Sequence, residues 1–168
     1  KYSIIEQEIP NAKMYFIKEK NSINHKKVIY QLHGGSYLTP HTPMYFKNAL
    51  RYLKISDKLL VASLEYRLAP KYRFPSALED AYEGWKYLLR QGYKKEDIII
   101  VGDSAGGNLA LSLTMYLIDK HNEKPKGLIL MSPWADLTDS GSSRIYNLTK
   151  DPMFGYSKLL DKVMAPDK

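Results

Sequence analysis

Gly102-Asp103-Ser104-Ala105-Gly106 is the most constraining stretch of this sequence, because of its neighbours. It follows Ile98-Ile99-Ile100-Val101, a run apolar on both faces, and it opens a segment in which Leu109, Leu113, Tyr116 and Leu117 recur at helical spacing. A short run buried on both sides is the signature of a central parallel strand. Turning straight from such a strand into a helix brings the two backbones close together, so small residues are needed two before and two after the apex. Gly102, Gly106 and Gly107 supply them. The stretch therefore predicts a strand-turn-helix unit with Ser104 at its apex, in a strained backbone conformation.

The rest of the chain repeats the alternation. Residues 4–9 and 12–17 are short β-rich runs around Pro10-Asn11, which predicts an antiparallel hairpin. Strands follow at 27–32, 59–64, 98–101 and 127–131, and helices at 44–53, 76–90 and 105–119, the second marked by Ala77, Ala81, Trp85 and Leu88 and stopped by Gly92. This order predicts an α/β fold with a mostly parallel sheet behind an N-terminal antiparallel hairpin. The chain reads as a single domain over 1–168, with residues 1–131 forming the core sheet and helices. In the excursion over 132–168, Pro133, Gly141, Pro152, Gly155 and Pro166 break the pattern, and one helix is expected near 156–163.

Composition narrows the function classes. With 168 residues, 44% of them hydrophobic, one sizeable core can form. No stretch approaches the roughly 18 apolar residues of a membrane span, and the first ten residues lack the apolar core of a signal peptide. The absence of cysteine excludes disulfides and thiolate catalysis and fits a reducing compartment, so a cytoplasmic protein is expected. The net charge of +7 is scattered in ones and twos (Lys26-Lys27, Lys94-Lys95) among carboxylates, which reads as a solvated surface rather than a nucleic-acid site.

Gly102 to Gly106 matches the G-x-S-x-G nucleophile elbow in its required setting. The helix beginning there directs free amides and a positive dipole end at the serine, where negative charge develops in acyl transfer. The amide of Ala105 is one expected oxyanion donor. A second turn, His33-Gly34-Gly35-Ser36, closes an earlier strand and resembles HGGG-type oxyanion loops. There Gly34 shapes the loop, Gly35 and Ser36 offer amides, and Ser36 occupies the place of a third glycine. His33 belongs to this loop and is read as structural, and Asp103 as a loop stabiliser. His25 and His41 lie in loops without further signal, and His121 sits at the far end of the helix, roughly 25 Å from Ser104 at 1.5 Å per residue. None of the four is a good base. They form no metal-binding spacing with the carboxylates, and no metal or other cofactor is expected.

With these residues the chain resembles the hormone-sensitive lipase-like family of α/β-hydrolases, the bacterial carboxylesterase and acetyl esterase type. Collinear with the two glycine motifs are Tyr66-Arg67-Leu68-Ala69-Pro70, Phe74-Pro75, Ala77-Leu78-Glu79-Asp80 and Ser132-Pro133-Trp134-Ala135-Asp136-Leu137. The resemblance implies an α/β-hydrolase fold whose last two strands and N-terminal cap are missing here. It also implies hydrolysis of short- to medium-chain acyl esters through an acyl-enzyme on Ser104, with the triad acid and histidine beyond residue 168. Arg67 and Asp80 would anchor a loop, and Asp136 is a fallback acid that more often reads as structural. The alternatives are a small-molecule-binding module of the same fold, or an inactive fragment without a working triad. On either reading, residues 1–168 alone are expected to be nearly inactive.

Overall fold

The computed structural model describes residues 1–22, 25–138, 140–147 and 150–151. The elements are β1 (Tyr2–Ile9), β2 (Ala12–Glu19), β3 (Lys27–Leu32), α1 (Pro43–Leu53), β4 (Leu59–Glu65), α2 (Ser76–Arg90), β5 (Ile98–Asp103), α3 (Ser104–His121), β6 (Gly127–Met131) and α4 (Ser142–Asn147). The differences from expectation are local. Strand β5 continues to Asp103, and α3 starts at Ser104 itself, so no loop residue separates them. The sequence reading missed α4, whose six residues are too few for an apolar stripe and leave Ile145 and Tyr146 exposed. The helix expected near 156–163 lies outside the described residues.

The backbone divides into two units, Lys1–Pro133 and Trp134–Lys168. In the first, the strands form one sheet in the order β1-β2-β4-β3-β5-β6. The hairpin β1–β2 joins β4 antiparallel, and β4, β3, β5 and β6 run parallel. Alternation of side chains along each strand puts two apolar layers on opposite faces. Ile17, Ile29, Val61 and Val101 meet Ala49 and Leu53 of α1 on one face. On the other, Met14, Tyr30, Leu32, Leu64 and Ile100 form a larger core with Trp85 and Leu88 of α2 and Leu109 and Leu113 of α3.

This arrangement places the site. The connection leaving β3 passes through α1 on one face, and the connection leaving β5 passes through α3 on the other. Open α/β sheets form a crevice at the carboxyl ends of strands where successive connections part in this way. Leu32, the last residue of β3, pairs with Gly102 near the end of β5, so His33 and Ser104 leave the sheet side by side. Close approach explains two glycines here. A Cβ on Gly102 would run into the carbonyl of Gly106, and one on Gly106 into the carbonyl oxygens of Leu32 and His33. Backbone cannot step aside as a side chain can, so Gly106→Ala should cost about 3 kcal/mol, the upper range of overpacking. Urea unfolding at neutral pH checks this, and a midpoint equal to that of the wild type would disprove the contact.

At the far side of the sheet, β6 pairs with β5 alone among the described residues. Ile129 is 49% exposed and Met131 39%, as are Met115 (54%) and Ile118 (50%) on the outer side of α3. Among the described residues, no helix is long and apolar enough to cross a membrane.

Candidate active site

Ser104 has φ +51 as the first residue of α3 and is half-buried, directly after the last residue of β5. Left-handed backbone at a serine is unfavourable by about 1–3 kcal/mol and persists only where the surroundings impose it. The fused strand and helix impose it here. The same turn leaves the first-turn amides of α3, Ala105 among them, without helical acceptors.

The His33-Gly34-Gly35-Ser36 turn stands against this elbow. A Cβ placed on Gly34 would lie 3.2 Å from Cβ of Ser104 and 2.6 Å from Oδ2 of Asp103, so loop and elbow are in van der Waals contact. Three consecutive residues of the loop have positive φ, Gly35 at +112, Ser36 at +57 and Tyr37 at +59. Leu38 and Thr39 both donate their N–H to the Gly35 carbonyl at 2.9 Å, which closes the turn. Among the described residues, the N–H groups of Gly35 and Ser36 make no backbone hydrogen bond. That of Gly34 is committed, at 2.8 Å, to the hydroxyl of Tyr45.

Three tyrosine hydroxyls hold the loop. Tyr66 donates to the His33 carbonyl at 2.6 Å, Tyr37 donates to Oδ1 of Asn108 on α3 at 2.7 Å, and Tyr45 donates to Oδ2 of Asp103 at 3.1 Å. The ring of His33 stacks on that of Tyr66 with centroids 4.1 Å apart, and its Nδ1–H donates to the Gly34 carbonyl at 2.8 Å. Burial lowers the pKa of His33 and raises those of Tyr37 and Tyr66, which keeps these groups neutral. Sequence reasoning names Tyr66 only within the motif at 66–70 and gives neither it nor Tyr45 a role at the site. Tyr45 is counted there only within an apolar helical stripe, and nothing in the local pattern shows that its hydroxyl has a polar destination.

His41 is also more tightly held than the sequence suggests. Its Nε2 lies 2.8 Å from Oγ of Ser63, and its ring sits among Tyr15, Tyr45, Phe46 and His33. Burial, with the neighbouring His33, lowers its pKa to about 4. In the unfolded chain the same group titrates near 6.5. Between these values the unfolded state binds more protons. The contribution of His41 is therefore complete above pH 6.5 and is lost as the pH falls through 4. Urea midpoints should fall over this window more steeply in the wild type than in His41→Asn, and parallel curves would remove His41 as the cause.

None of the four histidines hydrogen-bonds Ser104. His33 serves its own loop and His41 serves Ser63, while His25 lies beside Ser22 and His121 stacks on Tyr82. Asp136, in the second unit, closes its own turn by accepting from the N–H and hydroxyl groups of Thr138 and Ser140. These bonds hold its carboxyl well below the usual carboxylate range. Among the described residues there is no cluster of groups that could hold a metal ion.

Comparison with known proteins agrees with this fold. A family profile described as the alpha/beta hydrolase fold matches residues 29–165. An esterase of Acinetobacter venetianus is 36% identical over 137 residues, covering 79% of this chain and 44% of that protein. Esterase LipU of Mycobacterium tuberculosis is 31% identical over 149 residues, covering 87% and 50%. The crystal structure of EstE5 soaked with p-nitrophenyl butyrate superposes with a TM-score of 0.84 at 30% identity, over 98% of this chain and 54% of that one. An esterase of the bacterial hormone-sensitive lipase family superposes with a TM-score of 0.82 at 26% identity, over 99% and 56%. The chain spans about half the length of these relatives. The matched profile, the collinear motifs and the superposed sheet together establish that the chain belongs to the α/β-hydrolase fold family, as a hormone-sensitive lipase-like member.

Proposed function

We propose that the whole protein is a serine carboxylesterase that hydrolyses short- to medium-chain acyl esters through an acyl-enzyme on Ser104. The observation that carries this reading is the strained Ser104 at the head of α3, with the glycine turn of residues 33–36 in contact beside it. A protein that only binds a ligand gains nothing from such a serine.

In the proposed reaction, Oγ of Ser104 attacks the ester carbonyl carbon while a histidine takes its proton. The carbonyl oxygen becomes an oxyanion and accepts from the N–H groups of Gly35, Ser36 and Ala105. This reading is supported by the lack of a backbone acceptor for Gly35 and Ser36 among the described residues and by the place of Ala105 in the first turn of α3. The C–O bond then breaks, and the histidine returns the proton to the departing alcohol. Water repeats the sequence on the acyl-enzyme, releasing the acid and restoring Ser104. We place the base and its orienting acid beyond residue 168, since no described histidine meets Ser104 and Asp136 is engaged in its own turn. Gly102 and Gly106 permit the close approach, and His33, Gly34 and Asp103 hold the loop in place. A cytoplasmic location is part of the same proposal, supported by the absence of cysteine.

The alternative, a small-molecule-binding module of the same fold, separates in one experiment. The full-length protein is incubated with a fluorophosphonate and assayed on p-nitrophenyl butyrate. Stoichiometric labelling of Ser104 together with turnover supports the esterase, and an unlabelled protein without turnover supports the binding module.

A further inference from the structure

We propose that Tyr45 is a positioning residue for this site. By accepting from Gly34 and donating to Asp103, its single hydroxyl sets the spacing between the oxyanion loop and the nucleophile. The inference rests on the reading of Ser104 as nucleophile and adds a residue to it.

The direction of both bonds is fixed by chemistry. An amide N–H can only donate, so the Tyr45 oxygen must accept from Gly34, at 2.8 Å, and its one proton is left for the carboxylate of Asp103, at 3.1 Å. Burial and the nearby Asp103 raise the Tyr45 pKa to about 12, so the proton stays in place near neutrality. The hydroxyl thus stands one residue before Gly35 on one side and one residue before Ser104 on the other. The tyrosine itself cannot drift. It is 4% exposed, its ring lies between His33 (5.5 Å between centroids) and His41 (5.4 Å), and its carbonyl accepts from Nε2 of Gln31 on β3 at 3.4 Å. Helix α1 therefore carries a rigid arm into the seam between the two halves of the site.

Without the hydroxyl, the buried Gly34 N–H has no acceptor, and an unmet amide moves the backbone to find one. Contact with the Ser104 side chain blocks movement inward, so the loop must relax away from the nucleophile, taking the Gly35 and Ser36 amides with it. Those amides bind the oxyanion far more strongly than the ground-state carbonyl. The loss should therefore fall on kcat and leave KM in place.

The experiment uses the full-length protein with p-nitrophenyl butyrate. Tyr45→Phe should lower kcat by about 10- to 100-fold, the range for an ångström-scale misplacement, with KM within about twofold. The affinity for a trifluoromethyl ketone, which forms a tetrahedral adduct on the serine, should fall by the same factor as kcat/KM. Tyr30→Phe is the control. It removes a buried hydroxyl bond to the Ala81 carbonyl in the opposite core layer and should lower the melting temperature comparably at unchanged kcat. Asp103→Asn keeps an acceptor for the Tyr45 hydroxyl and Asp103→Ala removes it. The kcat should therefore fall further in Asp103→Ala than in Asp103→Asn, but less than in Tyr45→Phe, where Gly34 also loses its acceptor. The gap between the two Asp103 variants should close in a Tyr45→Phe background. This Asp103 pair decides the matter even if Tyr45→Phe does not fold. Wild-type kcat in Tyr45→Phe, a loss confined to KM, equal losses in the two Asp103 variants, or a gap between them that persists in the Tyr45→Phe background would each overturn the positioning role. Failure of the underlying reading looks different, because Ser104→Ala would then keep its turnover.

Discussion

Ser104→Ala in the full-length protein is expected to lower kcat on p-nitrophenyl butyrate by roughly four orders of magnitude or more, with the protein still folded. Members of a nucleophile-base-acid unit do not contribute independently, so losing the nucleophile removes about as much as losing the whole unit. What survives is the roughly 10³- to 10⁴-fold advantage over water that binding and an oxyanion hole provide by themselves. Folding should not suffer. Ser104 is held at φ +51, a conformation alanine tolerates no better than serine, and its side chain makes no hydrogen bond among the described residues on which the fold depends. Turnover is measured alongside the urea midpoint. Unchanged turnover would move the chemistry to another residue, and a collapsed midpoint would make the activity loss uninterpretable as catalysis. The same arithmetic applies to residues 1–168 expressed alone, which lack a histidine hydrogen-bonded to Ser104 and should show only the residual rate.

Arg67→Ala is expected to destabilise the fold by about 3–5 kcal/mol, the range for stranding a buried charge. Asp80 has no measurable exposure, and the Arg67 side chain reaches it from the partly open side. The guanidinium meets the carboxylate three times, Nε at 2.9 Å from Oδ1 and 3.0 Å from Oδ2, and Nη2 at 2.7 Å from Oδ1, while the Arg67 N–H donates to Oδ2 at 2.8 Å. Nη2 also reaches the Ser76 carbonyl at 3.3 Å, which ties the residues after β4 to the first turn of α2. In Arg67→Ala the carboxylate keeps only the backbone N–H. Arg67→Lys should recover part of the loss, because an ammonium cannot offer the planar fork. Glu79, which meets Arg67 at the exposed rim at 3.1 Å, should cost under about 1 kcal/mol when replaced by alanine. Urea unfolding at neutral pH orders the three variants. An Arg67→Ala midpoint within 1 kcal/mol of the wild type, a limit set by the value of a surface pair, would mean that Asp80 is solvated after all. Activity should fall too, since Ala69 donates to the Tyr37 carbonyl at 2.9 Å and so links this loop to the oxyanion turn.

The sequence by itself determined which segments are strands and helices, and where the chain must turn sharply. Those properties are local. Period-two and period-3.6 apolar patterns state which face a residue buries, and β3, α2 and β6 keep the bounds read from them. Gly102 and Gly106 are legible because crowding at a strand-to-helix turn is decided within five residues. Partner choice is another matter. That β3 lies beside β5, seventy residues on, and so brings His33 next to Ser104, depends on helices crossing to opposite faces of the sheet, which only the assembled layers decide. The same holds for Tyr45, which shares its helix stripe with Ala49 and Leu53 and is told apart from them only by what its hydroxyl meets, and for the loop residue His41, whose partner Ser63 lies on strand β4 beyond helix α1. A periodic pattern records how much of a side chain is buried, but a hydrogen bond joins two particular atoms, and only the tertiary structure puts those atoms within reach of one another.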